Sequence, residues 1–224
     1  MPTRPTPFVV AVDGPSGSGK SSTARGVATR LGLAYLDTGA MYRGVTWALL
    51  QRGVDTNDPA AVAAVVPQIQ IVSGTDPQHP TITVDGVDVA VQIRGEDVVR
   101  HVSPVSTVPE VRTHLVDLQR ATIAAADPGI VVEGRDIGTV VATDALLKIY
   151  LVADTRARAA RRAAEEGGSD AAATAASLLS RDRIDSTRAT SPLAKADDAV
   201  EVDSTSLSLE EVVDHIVTLV EERR

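Results

Sequence analysis

The chain of 224 residues contains no cysteine, which excludes disulfides, thiol nucleophiles and cysteine-ligated zinc. Its four histidines, His79, His101, His114 and His215, are scattered and form no metal-ligand spacing. Lysine is nearly missing. Lys20, Lys148 and Lys195 are the only ones among 22 basic residues, so almost all positive charge is arginine. At a net charge of −8 the chain has no bulk attraction for nucleic acid. Clustered arginine is different, because its planar fork matches phosphate oxygens. No apolar run is long enough to span a bilayer, and the most apolar, "ALLKIYLVA", carries Lys148. The proline-rich start "MPTRPTP" leads straight into a strand, without a signal peptide's apolar region and cleavage site. These absences predict a soluble cytoplasmic protein of one α/β domain with insertions, with neither nucleic acid nor membrane as partner.

What is present alternates strand and helix, with no fixed-period repeat. "FVVAV" is a β-branched run suited to a strand buried on both faces. A helix follows and stops at Gly32, then a short strand "LAYLD", then a helix over "TGAMYRGVTWALLQRG" for which Thr38 is the expected cap. Residues 58–67 read as helical up to Pro67. "IQIVSG", "TITVDG" and "VDVAVQI" read as an antiparallel insert at about 68–93, with a hairpin at "VDG". The helical stretch from Glu96 is expected to break at Pro104 and near Pro109. "GIVVEGRD", "LLKIYLVAD" and "DAVEVDST" supply three more strands, and Ser208 with Glu211 caps a last amphipathic helix. Five core strands between helices predict a doubly wound parallel sheet.

Between the first strand and its helix stands "GPSGSGKS", which fits G-x-x-x-x-G-K-[ST] without a mismatch. Its glycines let backbone N–H groups curl around an oxyanion, and the helix beginning at Lys20 adds its positive end. Gly14, Pro15, Ser16, Gly17, Ser18, Gly19, Lys20, Ser21 and Ser22 are therefore expected to bind a nucleoside triphosphate, which the family resemblance given below makes ATP. Lys20 is to reach the β- and γ-phosphates and Ser21 to ligate Mg²⁺, with Ser22 as the alternative ligand.

The loop alone does not separate switch, motor and kinase. A GTPase would need N-K-x-D, but the only asparagine, Asn57, is followed by Asp58. A remodelling ATPase would need a signature loop or a basic face, and neither is present. A small-molecule kinase needs a second phosphate site and a lid that excludes water. Arg43, in the second turn of its helix, is one candidate for that site. Arg135 and Asp136 are others, at a strand end where ligands of open sheets sit; an ion pair between them is the alternative reading. Arg156, Arg158, Arg161, Arg162, Arg181, Arg183 and Arg188 flank the hinge-like "EEGGSDAAAT" and suit a phosphate-closing lid. A kinase for AMP, a sugar or a sugar acid stays open at this point, as does a nucleotide-dependent regulatory module.

Over nearly its whole length the sequence resembles the bacterial cytidylate kinases, through "DGPSGSGKS", "YLDTGAMYR", "EGRDIGTVV", "RDRIDSTRATSPL" and "DSTSLSLEEVV". The resemblance implies the P-loop nucleoside monophosphate kinase fold: a five-stranded parallel sheet, a small antiparallel β insert and a helical lid. It implies a core at about 8–37, 113–154 and 196–224, a monophosphate-binding region at about 38–112 and a lid at about 155–190. Its implied reaction is transfer of the γ-phosphoryl group of ATP to CMP or dCMP, with Mg²⁺, by a monomer. Thr38, Arg43, Ser103, Arg112, Arg135, Asp136, Arg181, Asp185 and Arg188 are the implied CMP-binding residues. Lys20, Arg135, Arg158 and Arg188 are the implied catalytic ones, and Arg162 joins Arg158 in the lid. Two departures stand out. Thr38 replaces the family's frequent serine, and the loop ends Gly-Lys-Ser-Ser where Gly-Lys-Gly-Thr is usual.

No general base is required, because a phosphate monoester with a second pKa of about 6 is already largely dianionic at pH 7. Asp136 is expected to select the base, accepting from the cytosine amine and facing uracil O4 unfavourably, with donors from Arg112 and Ser103. The competing expectation is that Asp136 only orients Arg135.

Overall fold

The computed structural model describes residues 7–165 and 171–224. Five parallel strands form the main sheet: β1 (Phe8–Asp13), β2 (Ala34–Asp37), β6 (Gly129–Gly134), β7 (Leu147–Val152) and β8 (Val200–Asp203), in the order β2-β6-β1-β7-β8. β1 is central, in register with β6 from Phe8 opposite Gly129 to Asp13 opposite Gly134. Its continuous apolar run follows from burial on both faces. Val9 and Ala11 enter one core, and Val10 and Val12 enter the other.

The second of these cores is closed by α1 (Lys20–Leu31) and α8 (Leu209–Glu221). The predicted serine cap is present there as a reciprocal pair, Ser208 Oγ on the Glu211 N–H and the Glu211 carboxylate on the Ser208 N–H. The first core is closed by α2 (Thr38–Gln51), α3 (Pro59–Val65), α4 (Glu96–Ser106), α5 (Pro109–Ala125) and the insert.

The insert is the antiparallel sheet β3 (Ile71–Ser73), β4 (Ile82–Val84) and β5 (Val87–Asp88). Asp85 and Gly86, with φ of 50° and 80°, make the two-residue turn between β4 and β5. The expected third strand "VDVAVQI" is shorter than its pattern. Pairing stops at Asp88, and Gln92–Arg94 is a single helical turn that buries Ile93.

Two further expectations are corrected. Asp37, not Thr38, caps α2, by accepting the Ala40 N–H. Pro104 does not break α4. It sits in the last turn, where it forfeits one hydrogen bond, and the chain breaks instead at Val108, held extended before Pro109. The expected helical segment is present as α6 (Thr155–Glu165) and α7 (Ala171–Thr187), which pack on each other, while residues 166–170 of the hinge-like stretch lie outside the described residues. Among the described residues no helix is long and apolar enough to cross a membrane.

Candidate active site

All five sheet strands are parallel, so their carboxyl ends open at one edge, and most of the expected residues gather there. The turn after β1 is shaped by close approach. Gly14 lies so near β7 that an added Cβ would sit 2.1 Å from the Leu151 carbonyl oxygen. Gly17 and Gly19 hold φ of 76° and 90°, which favours glycine. Lys20 opens α1, is buried, and donates Nζ to the Pro15 carbonyl at 2.7 Å. Burial and the Arg135 charge hold its ammonium well below the usual lysine range, against the opposing pull of Glu133, Asp13 and Asp182.

The two candidate metal serines separate here. Ser21 Oγ donates to Glu133 Oε2 at 2.9 Å, while the other oxygen of Glu133 accepts from the Tyr35 hydroxyl. Burial and nearby Asp37 raise the Glu133 carboxyl above its ordinary range. Ser22, exposed like Ser21, instead lines a cavity of about 340 Å³ with Gly17, Gly19, Arg161, Ser204 and Leu207.

Helices α6 and α7 rest on this loop. Arg158 donates to the Ser16 carbonyl at 3.0 Å and forms a close ion pair with Asp182. The second oxygen of Asp182 accepts the Ser16 N–H at 3.2 Å. Arg161 donates to the carbonyls of Ser18 and Ser204, at 3.3 and 2.6 Å. The expected arginine cluster is thus divided. Arg158 and Arg161 meet the loop, Arg162 lies within electrostatic reach of Arg181, and Arg156 and Arg183 face solvent.

Across the strand ends lies a set of arginine–carboxylate pairs. Arg43 pairs with Asp37 at 2.9 Å. Arg135 and Asp136 do not pair with each other: Arg135 Nε donates to Asp185 at 2.9 Å, and Asp136 forms a close ion pair with Arg112. Arg188 stands between the two acids, 3.7 Å from Asp136 and 3.9 Å from Asp185. The idea that Asp136 orients Arg135 therefore loses its geometric basis. Arg112 also donates to the Ser106 carbonyl and lies over the Tyr42 ring, 5.4 Å from its centroid. Ser103 is buried on α4 one turn before Ser106. Thr38 is buried, its hydroxyl donating to the Glu133 carbonyl at 2.7 Å.

Arg181, Asp185 and Arg188 follow helical spacing on α7 and so meet this set from one face. Burial, with Arg135, pushes Arg181 down to about 10, and Arg43 and Arg162 add to the crowding of positive charge. Arg43 Nε, Arg112 Nε, Arg181 Nε and Arg188 Nη2 are all buried without a hydrogen-bond partner. Buried guanidinium nitrogens of this kind match oxyanion ligands.

Residue-level reading of the sequence missed Asp13, Tyr35, Asp37, Tyr42, Glu133 and Asp182. Three of these share a usable signal. Asp13, Asp37 and Glu133 are each the first acid at the end of a short buried strand, β1, β2 and β6, at the edge where ligands sit. Asp182, embedded in the charged run "SRDRIDSTR", carries no such mark.

A family model described as cytidylate kinase matches residues 10–222. The cytidylate kinase of Streptomyces avermitilis is 59% identical over 216 residues, covering 96% of this chain and 94% of its own. That of Streptomyces coelicolor is 61% identical over 223 residues, covering 100% and 96%. Among solved structures, an uncharacterised protein from Eubacterium ventriosum superposes with a TM-score of 0.51 at 11% identity, covering 96% of this chain and 98% of its own; that likeness bears on the fold alone.

Proposed function

The chain belongs to the cytidylate kinase family, and on that premise we propose that it transfers the γ-phosphoryl group of ATP to CMP or dCMP, releasing ADP with CDP or dCDP. One observation carries the reading: a phosphate loop faces, across the strand ends, an arginine–carboxylate set with four buried guanidinium nitrogens left unbonded. The loop suits the triphosphate, and Lys20 is the donor-side cation. Arg43, Arg135, Arg181 and Arg188 suit the acceptor phosphate, and Thr38 packs behind them at the end of β6. Asp136, Arg112 and Ser103 suit the base, with Tyr42 beneath Arg112, and Asp185 suits the sugar hydroxyls. The site lies between a monophosphate-binding region at about 38–112 and a lid at about 155–190, on a core formed by the remaining strands and helices.

Ser21 and Glu133 fit a magnesium ion. A hydroxyl and a carboxylate are the hard oxygen donors that Mg²⁺ takes, and it usually completes its shell with substrate phosphates and water. Bound Mg²⁺ supplies charge neutralisation to the triphosphate. Ser21 suits the role of ligand better than Ser22, since its proton goes to Glu133 and its lone pairs stay free.

The transfer joins an acceptor phosphate oxygen to the γ-phosphorus as the bond to ADP breaks. The acceptor dianion needs no base, so positioning and charge stabilisation carry the rate. Arg135 is held by Asp185 and Arg188 by the Ser191 carbonyl, which fixes both forks before the acceptor arrives. Arg158, already over the loop, stabilises the moving phosphoryl group and helps exclude water.

An ADP-release assay over CMP, dCMP, UMP, AMP and GMP, with and without Mg²⁺, tests the reading. Preference for CMP and dCMP with Mg²⁺ dependence is expected. Equal use of AMP, or acceptor-independent release, overturns it.

A further inference from the structure

The chain leaves β6 through Arg135 and Asp136 and enters a wide turn, Ile137–Val141. The Val141 N–H reaches back to the Asp136 carbonyl at 3.3 Å and the Ala142 N–H to that of Ile137 at 2.8 Å. A turn of this kind begins with unbonded N–H groups, which a side chain at its first position ordinarily accepts. Asp136 holds that position, and aspartate is among the best residues for it. Its side chain nevertheless makes no capping bond. The carboxylate is turned away to Arg112 and Arg188.

Asp13, far away in sequence, does the capping. Its two oxygens accept the N–H groups of Ile137 at 2.9 Å and Gly138 at 2.8 Å. At Gly138 an added Cβ would press on the Lys148 stem, at 3.0 Å, and meet Asp13 at the ordinary contact distance of 3.4 Å. The far end of the turn is held from α5, where Arg120 donates to the carbonyls of Val140 and Val141, at 2.7 and 3.2 Å. Asp13 is 5% exposed and is also the residue before Gly14, so one carboxylate joins the turn to the phosphate loop.

We infer that Asp13 is a positioning residue for the acceptor: by capping the 137–141 turn from β1 it frees the Asp136 carboxylate to face Arg112, Arg188 and the acceptor base. The inference rests on the proposed role of Asp136 at that base.

The test uses Asp13→Asn, Asp136→Ala and the double variant, with kcat/KM measured for CMP and UMP and the dissociation constant of a non-hydrolysable ATP analogue. Asp136→Ala narrows the CMP/UMP ratio by roughly 5- to 150-fold. Asp13→Asn replaces one acceptor by an amide N–H₂ that opposes an N–H. It narrows the ratio by at least about fivefold through the acceptor KM, with analogue binding within about twofold of the parent. In the Asp136→Ala background it changes the ratio by less than about twofold, because both act through one carboxylate. Parallel loss with both acceptors, or full additivity, overturns the assignment. A ratio narrowed in Asp136→Ala but intact in Asp13→Asn breaks the Asp13 role alone. A ratio unchanged in Asp136→Ala breaks the base reading, and this inference with it. If Asp13→Asn does not fold, Asp13→Glu, which keeps the charge but displaces both accepting oxygens, is read in the same way.

Discussion

In the proposed function the phosphate loop and the arginine set across from it meet one demand, that of holding oxyanions, by opposite means. The loop does it with backbone. Its shape comes from consecutive residues, Gly14 pressed against Leu151 and Gly17 and Gly19 in left-handed conformations. The arginine set does it with side chains whose partners lie far apart: Arg112 with Asp136 across 24 positions, Arg135 with Asp185 across 50. A contiguous device is legible as a motif. A device built from pairs is legible only as a surplus of arginine, and the pairing is decided by the fold.

That contrast breaks most sharply at Lys20, the one side-chain cation that belongs to the loop. Lys20→Met is expected to lower kcat by at least about a thousandfold, since removing a single preorganised charge at a transferring group typically costs that order. The melting temperature is expected to hold or rise, because burial already disfavours the ammonium. A variant with turnover near the parent's would remove the loop lysine from the reaction.

Asp13 sits where the two devices join, and its titration gives the next largest effect. Burial pushes its carboxyl from 3.8 up to about 6, against the two N–H bonds from Gly138 and Ile137; Asp136 adds to the rise and Lys20 opposes it. Between those values the native state binds more protons than the unfolded chain. The Asp13 contribution to stability is therefore full below about pH 4 and is lost as pH rises through 6. The loss amounts to about 3 kcal/mol. Urea unfolding of the parent and Asp13→Asn at the two ends of that range should show the parent losing ground to the variant by that order. A constant difference between them would mean that the carboxyl titrates at its ordinary value.

The strands and the loop could be read from sequence because each expresses a local rule: β-branched runs for double burial, glycines for a cradle, a serine and glutamate for the α8 cap. The failures also have local causes. Thr38 was a plausible cap, but Asp37 precedes it and reaches the Ala40 N–H better. Pro104 signalled a break, but in a final helical turn a proline forfeits only one bond. In the site, Arg43, Arg135 and the helical row Arg181, Asp185 and Arg188 were visible as cations and spacing. Their partners were not. Nothing along the chain states that Asp136 meets Arg112 and not its neighbour Arg135; consecutive residues leaving a strand point apart, and α5 and α7 supply the counter-ions.

The acceptor side is sharpened by a substitution that keeps charge and removes geometry. Arg135→Lys retains a cation but loses the fork that holds Asp185 while leaving nitrogens for phosphate. The KM for CMP is expected to rise about 10- to 100-fold, in line with the loss of one bidentate charge-assisted contact. Binding of an ATP analogue should stay within about twofold of the parent. A matching loss of donor binding would mean that the two devices are not separable at Arg135.

One helix touches both devices, and it supplies the smallest test. On α7, Arg181, Asp185 and Arg188 face the arginine set, while Asp182, one position round, accepts the Ser16 N–H of the loop and pairs with Arg158. A carboxylate on a loop N–H occupies a donor that a phosphate oxygen would also use, and it brings like charge to a highly anionic ligand. Asp182→Asn removes that repulsion. It also weakens the anchor of Arg158, which retains the Ser16 carbonyl as an acceptor. The first effect acts on donor binding and the second on the chemical step, so the two are separable. The Arg158 cation beside Asp182 already offsets much of that repulsion, which keeps the effect small. The ATP analogue is expected to bind about 2- to 5-fold more tightly to the variant, while kcat falls. Weaker analogue binding, measured at the same ionic strength, would show instead that Asp182 supports the loop, and that the helix shared by the two devices holds the donor side in shape without competing for it.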